Sequence, residues 1–261
     1  MQSRSDISSL SIIGAGNVGW HLAHAFYRAG KTIHKVYSRS AEKAEELAAK
    51  VNAIALTSLD DLSNDQDLLI LCVTDDAIDP VIQALGKSPG KILHTAGSTG
   101  MEVFSGVESP HGVLYPLQTF TRGVDMDYSK IPFLIESSSE RFTASIKKLA
   151  GLVSASVRVT NSADRLRIHI AAVFACNFGN HMAVLAAALL KEAGFDFELL
   201  LPLLEQTTGK LEYMNPAEAQ TGPAARRDLA TISRQLEALK EDRELSEIYK
   251  VLTESIIRNQ E

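Results

Sequence analysis

The stretch "SIIGAGNVGW", residues 11–20, constrains this chain more than any other. Its glycines fall at Gly14, Gly16 and Gly19, after the apolar run "LSII" and before the helix-like "VGWHLAHAFYRAG". A GxGxxG spacing alone is weak, because many tight turns match it. Between a strand and a helix it gains a mechanical meaning. The first glycine permits the turn, the second lets backbone approach a pyrophosphate, and the third lets helix and strand pack closely. The helix start adds free N–H groups and a partial positive charge. The plain alternative is a strand–helix turn without a ligand.

The rest of the chain falls into two regimes. Residues 8–159 alternate short apolar runs such as "LSIIGA", "IHKVYS", "LLILCV", "KILHTAG" and "PFLIES" with polar-faced helices such as "SAEKAEELAAKV". Runs apolar throughout suit strands covered on both faces. Strand–helix alternation at these lengths implies a doubly wound parallel sheet of Rossmann type. Ser40 is placed to cap the second helix, with Glu42, Glu45 and Glu46 behind it. Residues 161–258 read as helix almost throughout. The expected architecture is α/β, with a nucleotide domain over residues 1–159 and a mostly α-helical domain over 160–261.

Composition narrows the function classes. With 45% hydrophobic and 22% charged residues among 261, the chain can build a sizeable core. A formal charge of −6 argues against a general nucleic-acid binder, which needs a basic face. The two cysteines, Cys72 and Cys176, form no CxxC pair, which fits a reducing cytoplasm. The opening "MQSRSDISSL" lacks the apolar core of a secretion signal. One segment, residues 168–190, imitates a membrane span, but it carries His169, Asn177, Asn180 and His181, which lipid disfavours. Gly194 then stands where a helix C-cap belongs. This segment is expected inside the protein or at a subunit interface, and its apolar surplus implies a homodimer rather than membrane insertion.

Cofactor preference is legible after the second strand. NAD sites usually place Asp or Glu there, whereas this chain has Ser38, Arg39 and Ser40. A guanidinium with two hydroxyls suits a 2′-phosphate, so NADP(H) is expected over NAD. A solvated helix start with a good N-cap is the bland alternative. Val73 and Thr74, at the carboxyl end of "LLIL", are placed to flank the cofactor, while Asp75 and Asp76 read equally as caps of the next helix. No His, Asp or Glu cluster at metal spacing stands out, so no catalytic metal is expected.

Together "SIIGAGNVGWHLAHAF", "YSRS", "LCVTDDAI", "ILHTAGSTG", "YPLQTF" and "AQTGPAARRD" resemble a family of Rossmann-like NADP oxidoreductases with a helical C-terminal domain of unknown function. That family is related to pyrroline-5-carboxylate reductase and, more distantly, to ketopantoate reductase and the β-hydroxyacid dehydrogenases. The resemblance spans nearly the whole chain. It implies a pyrophosphate loop over Gly14, Ala15, Gly16, Asn17, Val18 and Gly19, a 2′-phosphate site at Ser38, Arg39 and Ser40, and an interdomain active-site cleft. Gly97 and Ser98 match the small-residue segment that meets substrate in the hydroxyacid dehydrogenases. Where the family often has a histidine proton donor, this chain has Tyr115, whose intrinsic pKa is much higher. The catalytic Lys of the hydroxyacid dehydrogenases, four residues before an Asn, is replaced by Val173 ahead of Asn177.

Two further groups carry candidate chemistry. His169, Val173, Asn177 and His181 recur at intervals of four and so share one face of an α-helix. On that face Asn177 can hydrogen-bond a substrate carbonyl and His169 can exchange a proton; core or interface histidines are the alternative. Arg226 and Arg227, after Gly222–Pro223, fall in the first turns of a helix, where positive charge wants an anion. A substrate carboxylate or an intersubunit Asp or Glu would serve. The sequence therefore reads as an oxidoreductase that passes hydride from NADPH to the C=O or C=N carbon of a small, anionic substrate. A sensor or interaction protein that kept the cofactor fold and lost catalysis is the rival.

Overall fold

In the computed structural model, residues 7–62 and 65–259 are described. Most of the stretch read for a secretion signal lies outside the described residues, as do Ser63 and Asn64. By contacts the chain divides into two compact units, Met1–Cys176 and Asn177–Glu261.

The first unit alternates β1 (Ser9–Ile13), α1 (Asn17–Arg28), β2 (Thr32–Tyr37), α2 (Ala41–Lys50), β3 (Ile54–Leu56), β4 (Leu68–Leu71), α3 (Asp75–Leu85) and β5 (Ile92–His94). It continues through β6 (His111–Pro116), β7 (Phe133–Ser137), α4 (Glu140–Ala150), β8 (Val157–Val159) and α5 (Ser162–Ala172). Among the described residues these strands form one eight-stranded sheet in the order β3-β2-β1-β4-β5-β6-β7-β8. The reversal of winding beside β1 and β4 puts the glycine turn where such sheets bind ligands. Leu10, Ile12 and Ile13 of β1 and Leu68 to Leu71 of β4 are fully buried, as covered strands require. Each such side chain contributes on the order of 1.5–3 kcal/mol.

Two details depart from the expected parallel sheet. "HGVLYP" forms β6, which its glycine and proline disguise as loop. Strand β7 then pairs antiparallel to β6, Leu114 opposite Ile135. The connection between them holds only a short 3₁₀ turn at Tyr128–Lys130, and without a crossover helix the chain can only double back. Helix α4 restores parallel pairing between β7 and β8.

The mouth of β1 is pinned at its far end by Asp67. Its carboxylate accepts from Ser8 N and Oγ at 2.9 and 2.6 Å, and from Ser9 N at 3.1 Å. Partial burial opposes ionisation, but these donors outweigh it and lower the pKa from 3.8 to about 2. A carboxylate depressed on folding adds stability above its unfolded pKa and loses it as pH falls through the folded one. The advantage of the native protein over Asp67→Asn, followed by urea unfolding, is therefore expected to shrink between about pH 4 and pH 2.

The second unit holds α6 (Gly179–Glu192), α7 (Leu201–Gly209), α8 (Pro216–Ala219), α9 (Leu229–Ala238) and α10 (Arg243–Asn259). Gly194, at φ +79°, ends α6 in the left-handed conformation expected of a helix terminus. Asp228 caps α9 by accepting from Thr231 N at 3.0 Å, and Tyr249 of α10 donates to Gln235 of α9. Little is buried here: α6, α7 and α8 contain no buried residue. Segment 168–190 is accordingly not inside the chain. The helical run Ser162–Glu192 is long and apolar enough to cross a membrane, and none of its most apolar window is buried.

Candidate functional site

The glycine turn has the geometry its spacing requires. Gly14 sits at φ +108°, and a Cβ there would stand 2.3 Å from the Cys72 carbonyl oxygen. A Cβ on Gly19 would stand 1.9 Å from the Gly14 oxygen, so helix and turn are in direct contact. Gly16 is different, because nothing lies within 4 Å of its added Cβ. Gly16 is also the N-cap of α1, with no side-chain cap and no acidic residue in the first turn. The amides of that turn are therefore left for an anion from outside the chain. Open backbone beside uncapped amides fits a dinucleotide pyrophosphate. Ala15 is buried, and Val18 packs against the core beneath the turn.

Gly14 N donates to the Tyr37 carbonyl at 2.8 Å, which brings the turn beside the end of β2. There Ser40 caps α2, accepting from Lys43 N at 3.4 Å, and Ser38 Oγ accepts from Ser40 N at 3.2 Å. Arg39 is exposed and makes no ion pair among the described residues. Val73 Cγ1 lies within 3.1 Å of the Gly14 Cβ position. Thr74 is the N-cap of α3, so Asp75 and Asp76 occupy its first turn rather than the cap. Burial pushes the Cys72 thiol up to about 12, against a smaller lowering by Thr95, leaving it unreactive.

Asn17 has a second duty that its motif does not disclose. Its Oδ1 accepts from Arg122 N at 3.3 Å, while the Arg122 guanidinium lies 4.5 Å from the Trp20 ring centre and pairs with Glu46. The loop after β6 is thereby tied across the first turns of α1 and to α2. His21, fully engaged with Tyr128 Oη and the Thr121 carbonyl at 2.9 Å each, completes the tie.

A second constellation gathers at the carboxyl ends of β5 and β6. Tyr115 Oη and His169 Nδ1 are 2.9 Å apart, their rings edge to face. Beneath them Gly97 has room only for hydrogen: a Cβ would come within 2.7 Å of His169 and 2.8 Å of Tyr115. Ser98 Oγ donates to the Asp75 carboxylate. Burial raises the Tyr115 pKa, and the charges of Asp75 and Cys176 raise it further. Tyr115 thus keeps its proton at neutral pH, within hydrogen-bond reach of the His169 ring nitrogen. His94 and Thr95 lie below this surface and are buried. Burial first, then the Arg165 charge, lowers the His94 pKa to about 3, so its ring is neutral at neutral pH.

The remaining sequence candidates fall elsewhere. Val173–Phe178 winds as a π-helix, so intervals of four no longer stack His169, Val173, Asn177 and His181 on one face. Asn177 and His181 are exposed, and both belong to the second unit. Arg226 and Arg227 lie in a turn ahead of α9, not in its first turns, because Asp228 rather than Pro223 starts that helix. Arg227 adopts φ +54°, unusual for a non-glycine residue. Asp228 spends its carboxylate on the cap. Among the described residues no three His, Cys, Asp or Glu gather as a metal site. What sequence reasoning missed was the union of Tyr115 with His169, since two residues 54 apart carry no local sign of contact.

Two family models match the chain: "NADP oxidoreductase coenzyme F420-dependent" over residues 9–94, and a domain of unknown function, DUF2520, over residues 131–256. A candidate NADP oxidoreductase from Bacteroides fragilis is 39% identical, over 97% of this chain and 99% of its own, with a TM-score of 0.89. The chain belongs to this NADP oxidoreductase family. The fold reaches further. A Thermotoga maritima protein is 23% identical over 96% of this chain and 98% of its own, with a TM-score of 0.72. A reductive aminase from Aspergillus terreus, solved with NADPH and ethyl-5-oxohexanoate, is 21% identical over 97% and 94%, with a TM-score of 0.72. No curated protein matches the chain.

Proposed function

We propose that this family member is an NADPH-dependent reductase acting on the C=N or C=O bond of a small acceptor. The observation that carries the reading is the Tyr115–His169 contact, held over Gly97 in the same unit as an open, uncapped glycine turn. The amides after Gly16 would hold the pyrophosphate, and Ser38, Arg39 and Ser40 the 2′-phosphate, with Val73 and Thr74 flanking the ribose. When bound, the nicotinamide supplies a hydride for the acceptor carbon. Tyr115 gives its proton to the acceptor nitrogen or oxygen, and His169 steadies or replaces that proton through Nδ1. Ser98, fixed by Asp75, orients the acceptor. That reductive aminase, with the same fold and bound NADPH, makes a C=N acceptor the first to test.

The exposed apolar residues of the second unit, among them Val184, Phe195, Leu199 and Leu203, are our proposed homodimer surface, which a sizing measurement tests. Two free cysteines agree with work in the cytoplasm.

The decisive experiment titrates the protein with NADPH and NADH and then offers cyclic imines, ketone–amine pairs and keto acids. Expected are tighter binding of NADPH and oxidation of it by at least one acceptor. Arg39→Ala should weaken NADPH about tenfold and leave NADH unchanged, since one charge-assisted phosphate contact contributes about 1.5–3 kcal/mol. NADPH held tightly but never oxidised would point instead to a nucleotide sensor. Failure to bind either nucleotide would end both readings.

A further inference from the structure

Arg165 is the largest fully buried side chain among the described residues, at 0% exposure. A charge in that position is tolerated only when paired and hydrogen-bonded. Its Nη1 pairs with Glu136 Oε2 of β7, and its Nη2 donates to the Thr99 carbonyl at 2.6 Å. Ser162, the first residue of α5, closes the circuit. Its Oγ donates to Glu136 Oε2 at 2.8 Å and accepts from Met101 N at 3.1 Å. One carboxylate and one guanidinium thus stitch together β7, the loop after β5 and the start of α5.

Of the elements held, α5 carries His169, and β7 pairs with β6 so that Leu134 stands opposite Tyr115. Thr99 and Met101 belong to the loop that begins with Gly97 and Ser98, and His169 lies one helical turn beyond Arg165. The fit above Gly97 leaves no slack for a drifting helix. A planar guanidinium presents one nitrogen to Glu136 and another to Thr99 in a rigid fork, whereas an ammonium has a single nitrogen on a flexible stem. A buried ion pair of this kind often stabilises no better than well-packed apolar residues, so stability alone does not account for it.

We infer that Arg165 is a positioning residue: it fixes α5 against the loop after β5 so that His169 Nδ1 lies on Tyr115 Oη. The inference rests on the proposed role of that pair as proton donor. Arg165→Lys keeps the charge and loses the double grip. Turnover is expected to fall about tenfold or more, since a misplacement of about 1 Å can cost a hundredfold. NADPH affinity should stay unchanged. In a His169→Ala background the same substitution should cost almost nothing further, because its effect runs through His169.

A readout without turnover separates this inference from the reductase reading. The tyrosinate absorbance that disappears in Tyr115→Phe reports the Tyr115 titration, which Arg165→Lys should move downward as the phenol gains water. Ser162→Ala, which releases the Met101 tether, the second hold on Glu136 and a long contact from Arg165 Nη2 at 3.4 Å but leaves the Arg165–Glu136 pair in place, should shift it less in the same direction. An unmoved titration in both variants would overturn the positioning role, whether or not an acceptor is known. Losses from Arg165→Lys and His169→Ala that simply add would overturn it too. A moved titration without turnover of any acceptor would retain the positioning and sink the reductase.

Discussion

Gly16→Ala is expected to leave the fold intact and to abolish most coenzyme binding. Its added methyl meets nothing within 4 Å, so unfolding stability should change by no more than about 1 kcal/mol. The space it enters is where backbone must approach the pyrophosphate, and NADPH affinity should drop at least about tenfold, or 1.4 kcal/mol. Gly19→Ala should behave in the opposite order. Its Cβ would stand 1.9 Å from the Gly14 carbonyl oxygen and 3.3 Å from Cys72 Cβ, neither of which can swing aside. Overpacking of that kind costs about 1–3 kcal/mol. Here stability and binding should fall together. Thermal unfolding with and without NADPH checks both variants, and Gly16→Ala protein that still gains full thermal protection would remove the glycine turn from the coenzyme site.

Tyr115→Phe is expected to lower turnover about 10²–10⁴-fold, the usual contribution of a positioned proton donor. The ring and its packing over Gly97 remain, and only the hydroxyl facing His169 Nδ1 is lost. NADPH affinity and thermal stability should therefore change little. Because burial and the Asp75 charge raise the Tyr115 pKa, loss of its proton should limit the native rate only above pH 10, the ordinary tyrosine value. A rate that already falls near neutral pH with Tyr115 in place would hand the proton to another group. Unchanged turnover in Tyr115→Phe would do the same more directly.

Much of the coenzyme end was legible from local sequence, because each of its features depends on neighbours in the chain. The glycine spacing predicts a turn with φ > 0, and Gly14 has one. Ser40 is predicted to cap α2 and does so through Lys43 N. Gly194 is predicted at a helix end and sits there. The candidate proton site was legible only in part: Tyr115, His169, Gly97 and Ser98 were each singled out, but not joined. Arg165 carries no local sign of its role, since a charged residue in a helix reads as solvent-facing until its burial is known. Pro223 suggests a helix start ahead of Arg226 and Arg227, but Asp228 makes it, because its carboxylate is what caps the free amide of Thr231.

The sequence by itself determined the strand–turn–helix unit, the cap at Ser40 and the helix end at Gly194, all of which follow from apolar period, backbone conformation and hydrogen bonds spanning a few residues. Only the tertiary structure decided that β7 runs against β6, that α5 passes into a π-helix, and that a hydroxyl and an imidazole 54 residues apart share a proton. Those outcomes depend on which surfaces meet after the chain has folded. Long-range pairing is chosen by the packing of whole elements, and no single stretch of residues carries that choice.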